Sequence, residues 1–290
     1  MLTALISILS RIPLRVQYFL SDYLIYPLIC YVVRYRRKMV EKNLRLAFPD
    51  KSAAERKQLM HAFYRQFCDT IVEIIYGYRC SDEELIKRVS FEHADMVDRY
   101  AREKGGCIVM MAHMGNWEWM ASLQCRLTPG VKEVNVYRRL KSESMDRLML
   151  AIRGKRSGDC VEKQRILREM VRYRAEKQPI VVGLVSDQKP RPEVTRTWVE
   201  FLHQETGFLD GGEMLGKKFG YPVVCHIVRR PARGIYETEF QLLSEDPKNT
   251  ADGEITAAYA KALEQNIIEQ PELWLWTHHR FKWKRNALNN

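Results

Sequence analysis

The chain of 290 residues lacks the signatures of several common chemistries. It has no G-x-S-x-G elbow, which argues against an esterase built on a nucleophilic serine. It has no H-E-x-x-H, no Walker loop and no G-x-G-x-x-G, so zinc peptidases, phosphate-loop enzymes and dinucleotide-binding folds lose their main support. Its seven cysteines, Cys30, Cys68, Cys80, Cys107, Cys125, Cys160 and Cys225, are scattered, odd in number and never spaced C-x-x-C. That excludes a disulfide scaffold and fits small buried side chains in a reducing compartment. His278 and His279 have no ligand spacing with other His or Cys, so no metal is assigned. Internal repeats and low-complexity segments are absent. Acidic residues are also in short supply: 36 Asp and Glu face 47 Lys and Arg, giving a net charge of +11. An anionic partner follows, with nucleic acid, membrane phosphates and an acidic carrier protein all open.

What is present begins with an apolar N-terminus. Residues 1–33 are rich in Leu, Ile, Tyr and Val and are interrupted only by Arg11, Arg15 and Asp22. The continuous part, 16–33, is barely long enough to span a bilayer. It lacks a small-residue cleavage site after a clean short apolar core, so a signal peptide does not fit. Arg34, Arg36, Arg37, Lys38, Lys42 and Arg45 follow at once, which puts the rest of the chain on the cytoplasmic side. The segment reads as a membrane-anchoring helix, spanning or lying in the interface. A soluble hydrophobic helix pair is the plain alternative. The chain therefore divides into a membrane anchor with a basic flank, 1–45, and a main unit, 46–290.

Beyond it, Ser52-Ala-Ala-Glu55 is a capping box that opens a long helix to about Tyr78. Ser81-Asp-Glu-Glu84 starts a short helix. Helical pattern covers 91–104, 117–127, 142–152, 161–175 and 250–269. Buried strands are expected at 106–112, 134–137, 179–185, 221–228 and 235–243. Alternation of this kind predicts an α/β fold with a mixed, mostly parallel central sheet flanked by helices.

The richest stretch is His113-Met-Gly-Asn-Trp-Glu118. It follows the strand at 106–112 and precedes the helix at 117–127, where open α/β sheets place their chemistry. A His held by a carboxylate is a general base. Five residues apart on one helix the two side chains would diverge by about 140°, so His113 is expected in the turn and Glu118 in the first helical turn. Gly115 permits the tight backbone and Asn116 is a good N-cap. The helix start can also stabilise a developing negative charge. The plain alternative is a loop His beside a helix cap.

Four further positions carry weight. Arg153 lies at the edge of the stripe Met145, Leu148, Met149 and Ile152, so it is partly buried and needs a carboxylate or phosphate, or else simply complements a helix C-terminus. Asp187 ends an apolar strand as His113 does, and either borders the same cleft or caps a turn. Arg138 and Arg139 follow a strand and can hold a phosphate, or form an ordinary basic loop. The stretch 274–283 mixes aromatics and bases, which suits a membrane surface, a nucleic-acid face or packing on the core.

These blocks, in this order, resemble the bacterial lipid A late acyltransferases, the lauroyl and myristoyl transferases within the wider lysophospholipid acyltransferase superfamily. The H-x4-D/E hallmark is His113 to Glu118. Arg36-Arg-Lys-Met-Val-Glu-Lys-Asn-Leu44, Ala47-Phe-Pro49, Val136-Tyr-Arg138, Asp146 with Arg153, Ser186-Asp187-Gln188, Glu272-Leu-Trp-Leu-Trp276 and His279-Arg280 are similar to the other blocks, so the resemblance covers most of the chain. Residues 210–216 and the charged stretch 189–196 depart from the usual pattern, which bears on acyl length and acceptor more than on the reaction.

The resemblance makes 46–290 the acyltransferase catalytic domain and implies a glycerolipid acyltransferase-like fold and a membrane-associated enzyme. It moves a fatty acyl group from acyl carrier protein to a hydroxyl of a lipid A precursor, or of a related anionic lipid. His113 is then the base, Glu118 its orienting partner, and no covalent enzyme intermediate forms. Arg153, Asp187, Arg138 and Asn116 are expected to bind substrate or the oxyanion. No cofactor is expected beyond the acyl-carrier donor, and no nucleic-acid partner. The bacterial inner membrane, cytoplasmic face, is the expected location. An ornithine lipid, a glycine lipid or a glycerophospholipid is the alternative acceptor, and a non-enzymatic basic binding protein the distant alternative.

Overall fold

A computed structural model describes residues 2–155, 158–283 and 285. In chain order the main elements are α1 (Leu2–Leu9), α2 (Leu14–Leu20), α3 (Arg37–Ala47), α4 (Ala53–Gly77), α5 (Asp82–Ile86), β1 (Val89–Glu92), α6 (Ala94–Lys104), β2 (Gly106–Met111), β3 (Lys132–Tyr137), α7 (Glu143–Arg153), β4 (Asp159–Glu162), α8 (Ile166–Ala175), β5 (Ile180–Val185), β6 (Thr197–Phe201), β7 (Gln204–Phe208), α9 (Gly211–Phe219), β8 (Val223–Ala232), β9 (Ile235–Ser244) and α10 (Glu254–Glu269). One sheet carries seven strands in the order β1-β9-β8-β2-β5-β3-β4. Only the β8–β9 hairpin is antiparallel; the other neighbours run parallel. The expected mixed, mostly parallel sheet flanked by helices is therefore what the chain forms.

Burial explains the central strands. All six residues of β2 are buried, as is the start of β5. Such continuous apolar runs belong to parallel strands covered on both faces. The capping box forms as the sequence indicates: Ser52 accepts from the Glu55 N–H, and Glu55 accepts from the Ser52 N–H. It opens the 25-residue helix α4, which runs beneath the turn that follows β2.

Three segments differ from expectation. Residues 119–126 form a short 3-10 helix instead of an α-helix over 117–127. Phe91 lies in β1, stacked on Phe240 with ring centres 6.1 Å apart, not in the helix that follows. Val161 lies in β4, paired with Val136, not at the start of α8. In both strands, partners distant in sequence override a local helical pattern. Helix α10 starts at Glu254, after Gly253 in a left-handed conformation (φ 82°). The β6–β7 hairpin and α9 occupy a region where no element was expected.

The N-terminal segment is a bent layer. No single helix among the described residues is long and apolar enough to cross a membrane; Leu14–Val32 and Arg37–Ala47 qualify only together, across an 84° bend. One face packs on α4, burying Leu14, Gln17, Ser21, Tyr26 and Cys30. The other leaves Phe19, Tyr23, Leu24, Tyr31, Val32 and Val33 exposed. Polar ties hold the layer down: Ser21 donates to Asp69, Tyr18 to Glu73, and Arg233 bridges Asp22 and Asp69. The expected boundary at residue 45 falls inside α3, and the last five residues of the expected catalytic unit, 286–290, lie outside the described residues.

Replacing Ser52 with Ala removes the N-cap of α4. We expect a loss of about 1 kcal/mol in urea unfolding, with an unchanged slope.

Candidate functional site

Strand register builds the site. Strands β2 and β5 pair in parallel with Met111 opposite Val185. Two residues beyond that pair lie His113 and Asp187, so the register delivers them side by side at the carboxyl end of the sheet. Asp187 Oδ1 is 2.8 Å from His113 Nδ1. Its Oδ2 accepts from the His113 backbone N–H at 3.1 Å and from the Trp274 indole N–H at 2.9 Å. The carboxylate is 3% exposed and the imidazole 15%.

Burial alone would raise the pKa of Asp187. The adjacent His113 charge and the three hydrogen bonds outweigh it and hold the carboxylate at about 2. Burial likewise pulls the His113 pKa down, but the charge and hydrogen bond of Asp187 raise it above its ordinary value. Glu118 adds to the rise and Arg153 opposes it. An ionised Asp187 accepts a hydrogen bond from the Nδ1–H of His113, which leaves Nε2 as the basic nitrogen.

Glu118 lies in the same site with a different partner. Arg153, the last residue of α7, grips it with two bonds, Nε to Oε2 at 2.7 Å and Nη2 to Oε1 at 2.6 Å. The Trp117 indole N–H also donates to Glu118 Oε1, at 3.0 Å. The Glu118 side chain is 4% exposed. The expected pairing of His113 with Glu118 is thus replaced by two pairs, His113–Asp187 and Arg153–Glu118. Local spacing could not reveal this, because both partners come from distant elements.

Asn116 is a scaffold residue. It is fully buried; its Oδ1 caps the Trp119 N–H and its Nδ2 donates to Glu73. The Gly115 N–H is also committed, to the Leu273 carbonyl. Gly115 itself is required: its φ is +56°, and a Cβ there would lie 2.7 Å from the Tyr236 ring. Arg138 is exposed just beyond the end of β3, and Arg139 reaches Asp146 at 3.9 Å. Among the described residues, no group of three or more His, Cys, Asp or Glu is arranged to hold a metal ion.

Three contributors escaped the sequence reading. Glu73 is buried under the turn and accepts from Tyr18, Tyr236 and Asn116. Burial raises its pKa against those three bonds. A lone acid inside Ile71-Val-Glu-Ile-Ile75 was the available signal. Trp274 and His278 come from the aromatic C-terminal stretch, which packs on the core: Trp274, Trp276 and Arg280 are each 2% exposed or less. This strap pairs with the catalytic turn through the Leu275 N–H and the His113 carbonyl. It sets the His278 ring 5.4 Å from that of His113. Burial, and then the neighbouring His113 charge, pull His278 down to about 4, so it is neutral at pH 7.

A narrow crevice of about 10 Å³ lies behind Met111, among Met120, Leu123, Glu133, His226 and Phe240. It holds nothing larger than a water and belongs to the core. Burial pushes Glu133 up to about 8 and His226 down to about 3, so both are neutral there at pH 7.

Comparison with known proteins gives a consistent picture. The family described as bacterial lipid A biosynthesis acyltransferase matches residues 2–283. A lipid A biosynthesis lauroyltransferase of Escherichia coli (strain K12) is 25% identical over 251 residues, covering 85% of this chain and 79% of that one. A lipid A biosynthesis palmitoleoyltransferase of the same organism is 23% identical over 269 residues, covering 89% and 86%. A lipid A biosynthesis acyltransferase of Shigella flexneri matches equally well.

The His113–Asp187 pair makes stability depend on pH in a bounded window. The lowered Asp187 pKa contributes stability that is present above the unfolded value of about 4 and lost as pH falls through about 2. The raised His113 pKa contributes stability that is present below the unfolded value of about 6.5 and lost as pH rises through the folded one. Replacing Asp187 with Asn should therefore cost most between pH about 4 and 6.5, on the order of 1.5–3 kcal/mol, and less on either side. Urea unfolding across pH measures this; a pH-independent difference would contradict it.

Proposed function

Because the chain belongs to the bacterial lipid A biosynthesis acyltransferase family and is therefore an acyltransferase, we propose that it moves a fatty acyl group from an acyl carrier protein thioester to a hydroxyl of a lipid A precursor. The observation that carries the mechanism is the bond from His113 Nδ1 to a buried, ionised Asp187, which frees Nε2 to act as a base. His113 Nε2 takes the acceptor hydroxyl proton as the oxygen attacks the thioester carbonyl. The tetrahedral intermediate collapses, the C–S bond breaks, and the departing thiolate takes the proton from the imidazolium. No covalent enzyme intermediate is needed. Asp187 fixes the ring and stabilises its protonated form. Neutral His278 beside it adds no competing charge.

In this reading Glu118 and Arg153 act together. Glu118 holds the guanidinium and raises the basicity of His113, while Arg153 faces the charge that develops on the carbonyl oxygen. Positioned acid–base catalysis supplies roughly 10²–10⁴-fold, and orientation and charge stabilisation the remainder. Removing either partner leaves the other buried without its counter-charge, so single substitutions cost stability as well as rate.

The N-terminal layer supports membrane association in the interface. Its exposed face is apolar and tyrosine-rich, and arginines and lysines follow it. A bent layer fastened to α4 fits a monotopic attachment to the cytoplasmic leaflet of the bacterial inner membrane better than a straight span. Anionic headgroups and an acidic carrier both suit the net charge of +11.

Mass spectrometry of lipids from cells lacking and overproducing the protein tests the acceptor: one acyl group should be lost from, and restored to, lipid A. Loss from an ornithine lipid, glycine lipid or glycerophospholipid instead would overturn that assignment. With purified protein, His113→Ala should abolish transfer from acyl carrier protein. Asp187→Asn should lower kcat by about 10²–10⁴-fold and shift the rising limb of the pH–rate profile to lower pH, because the charge that raises the His113 pKa is gone. A limb that stays in place would rule out Asp187 as the partner of the base.

A further inference from the structure

Close to His113, around the neighbouring His278, lies a group of positive side chains that the mechanism does not use. Three segments supply it. Arg36, at the start of α3, donates to the Thr277 carbonyl at 2.9 Å. Asn43 of the same helix donates to the carbonyls of Trp276 and His278, at 2.8 and 2.6 Å, so α3 is fastened to the strap that carries His278 and His279. Lys42 stands beside Asn43 on this helix. On the other side, Gln188 reaches His278 at 3.4 Å, and Lys189 follows it. Lys189 and Lys282 share the Trp283 ring, at 5.2 and 4.3 Å from its centre. The His278 that these segments surround is the one set 5.4 Å from His113.

Among the described residues, none of Arg36, Lys42, Lys189, His279 or Lys282 pairs with a carboxylate, whereas Arg37 on α3 and Arg172 on α8 each do. Arg280 stands behind them, fully buried between Phe201 and Phe208, with Nε and Nη2 lacking a hydrogen-bond partner among the described residues. The crowding is felt: burial, then Lys282 and Arg280, pull the Lys189 pKa down. Burial, then Arg36, Lys189, Lys282 and Lys42, do the same to His279. Like charges gathered together repel one another, and an anion bound among them relieves that repulsion. Phosphate oxygens match the hydrogen-bonding capacity of guanidinium and ammonium groups.

Resting on the acyltransferase reading above, we infer that Arg36, Lys42, Lys189, His279 and Lys282 form a phosphate-binding collar at the mouth of the His113 site, which holds a phosphorylated substrate so that its reacting group reaches Nε2. The acceptor lipid and the phosphopantetheine arm of the donor both carry phosphate esters. The collar binds that shared chemistry, and kinetics with each substrate varied separately identifies its source.

The test uses full-length protein and the double variant Lys189→Gln/Lys282→Gln. Lys163→Gln/Arg168→Gln, on and beside α8 at the far edge of the sheet, serves as a charge-matched control. Transfer is measured against a phosphorylated lipid A precursor, the same lipid after phosphatase treatment, and acyl carrier protein. Binding without turnover is measured with detergent micelles containing or lacking the phosphorylated lipid. The collar predicts about a 10-fold or greater rise in KM for one phosphorylated substrate, with kcat within about twofold and the control unchanged. If the acceptor KM rises and the dephosphorylated lipid shows no further loss, the phosphate is the acceptor's. If only the donor KM rises, it is the donor's. Equal KM values for both substrates in both variants, or equal losses in the control, would overturn the collar. If wild-type protein binds phosphorylated micelles through Lys189 and Lys282 but transfers no acyl group, the collar stands and the acyltransfer assignment falls.

Discussion

The bond between Asp187 and His113 is the constraint on which the rest of the site depends. It exists because two fully paired parallel strands end in register and each continues two residues further. A buried carboxylate is costly unless its charge is matched and its oxygens are bonded. Asp187 meets both conditions through the His113 ring, the His113 N–H and Trp274. The C-terminal strap therefore belongs to the proposed catalytic centre: it brings the indole that completes the carboxylate, and the His278 ring that lies beside the proposed base.

A second layer keeps the turn rigid. Glu73 ties Asn116 on the turn to Tyr236 on β9 and Tyr18 on the N-terminal layer. Asp69, one turn earlier on α4, collects Ser21, Arg230 and Arg233. The same helix thus anchors both the catalytic turn and the apolar segment that suits a membrane surface. The orientation of that surface and the position of His113 are set by one rigid element.

Much of this was legible in the sequence where local rules suffice. The capping box at Ser52 and Glu55, the buried run leading to His113, and Gly115 at a positive φ all follow from residue type and spacing. The four residues of the site were also visible: His113 and Asp187 at strand ends, Glu118 in the turn of helix after His113, and Arg153 beside an apolar stripe. Their pairing was not. Glu118 is near His113 in sequence, whereas Asp187 is 74 residues away and becomes its neighbour only through strand register. Asn116 was identified correctly as a cap. Glu73 and Trp274 were hidden because an acid on a helix and an indole in an aromatic stretch read as ordinary surface or core until the sheet brings them together. Phe91 and Val161 were misassigned for the same reason, since their strand partners are remote.

The central claim is that Asp187, and not Glu118, selects the proton position on His113. Nitrogen-15 and proton NMR of histidine-labelled protein near neutral pH reads this directly. We expect a downfield Nδ1–H resonance from His113, retained in Glu118→Gln and lost in Asp187→Asn. Retention in Asp187→Asn with loss in Glu118→Gln would contradict the account and return Glu118 to the role of orienting carboxylate.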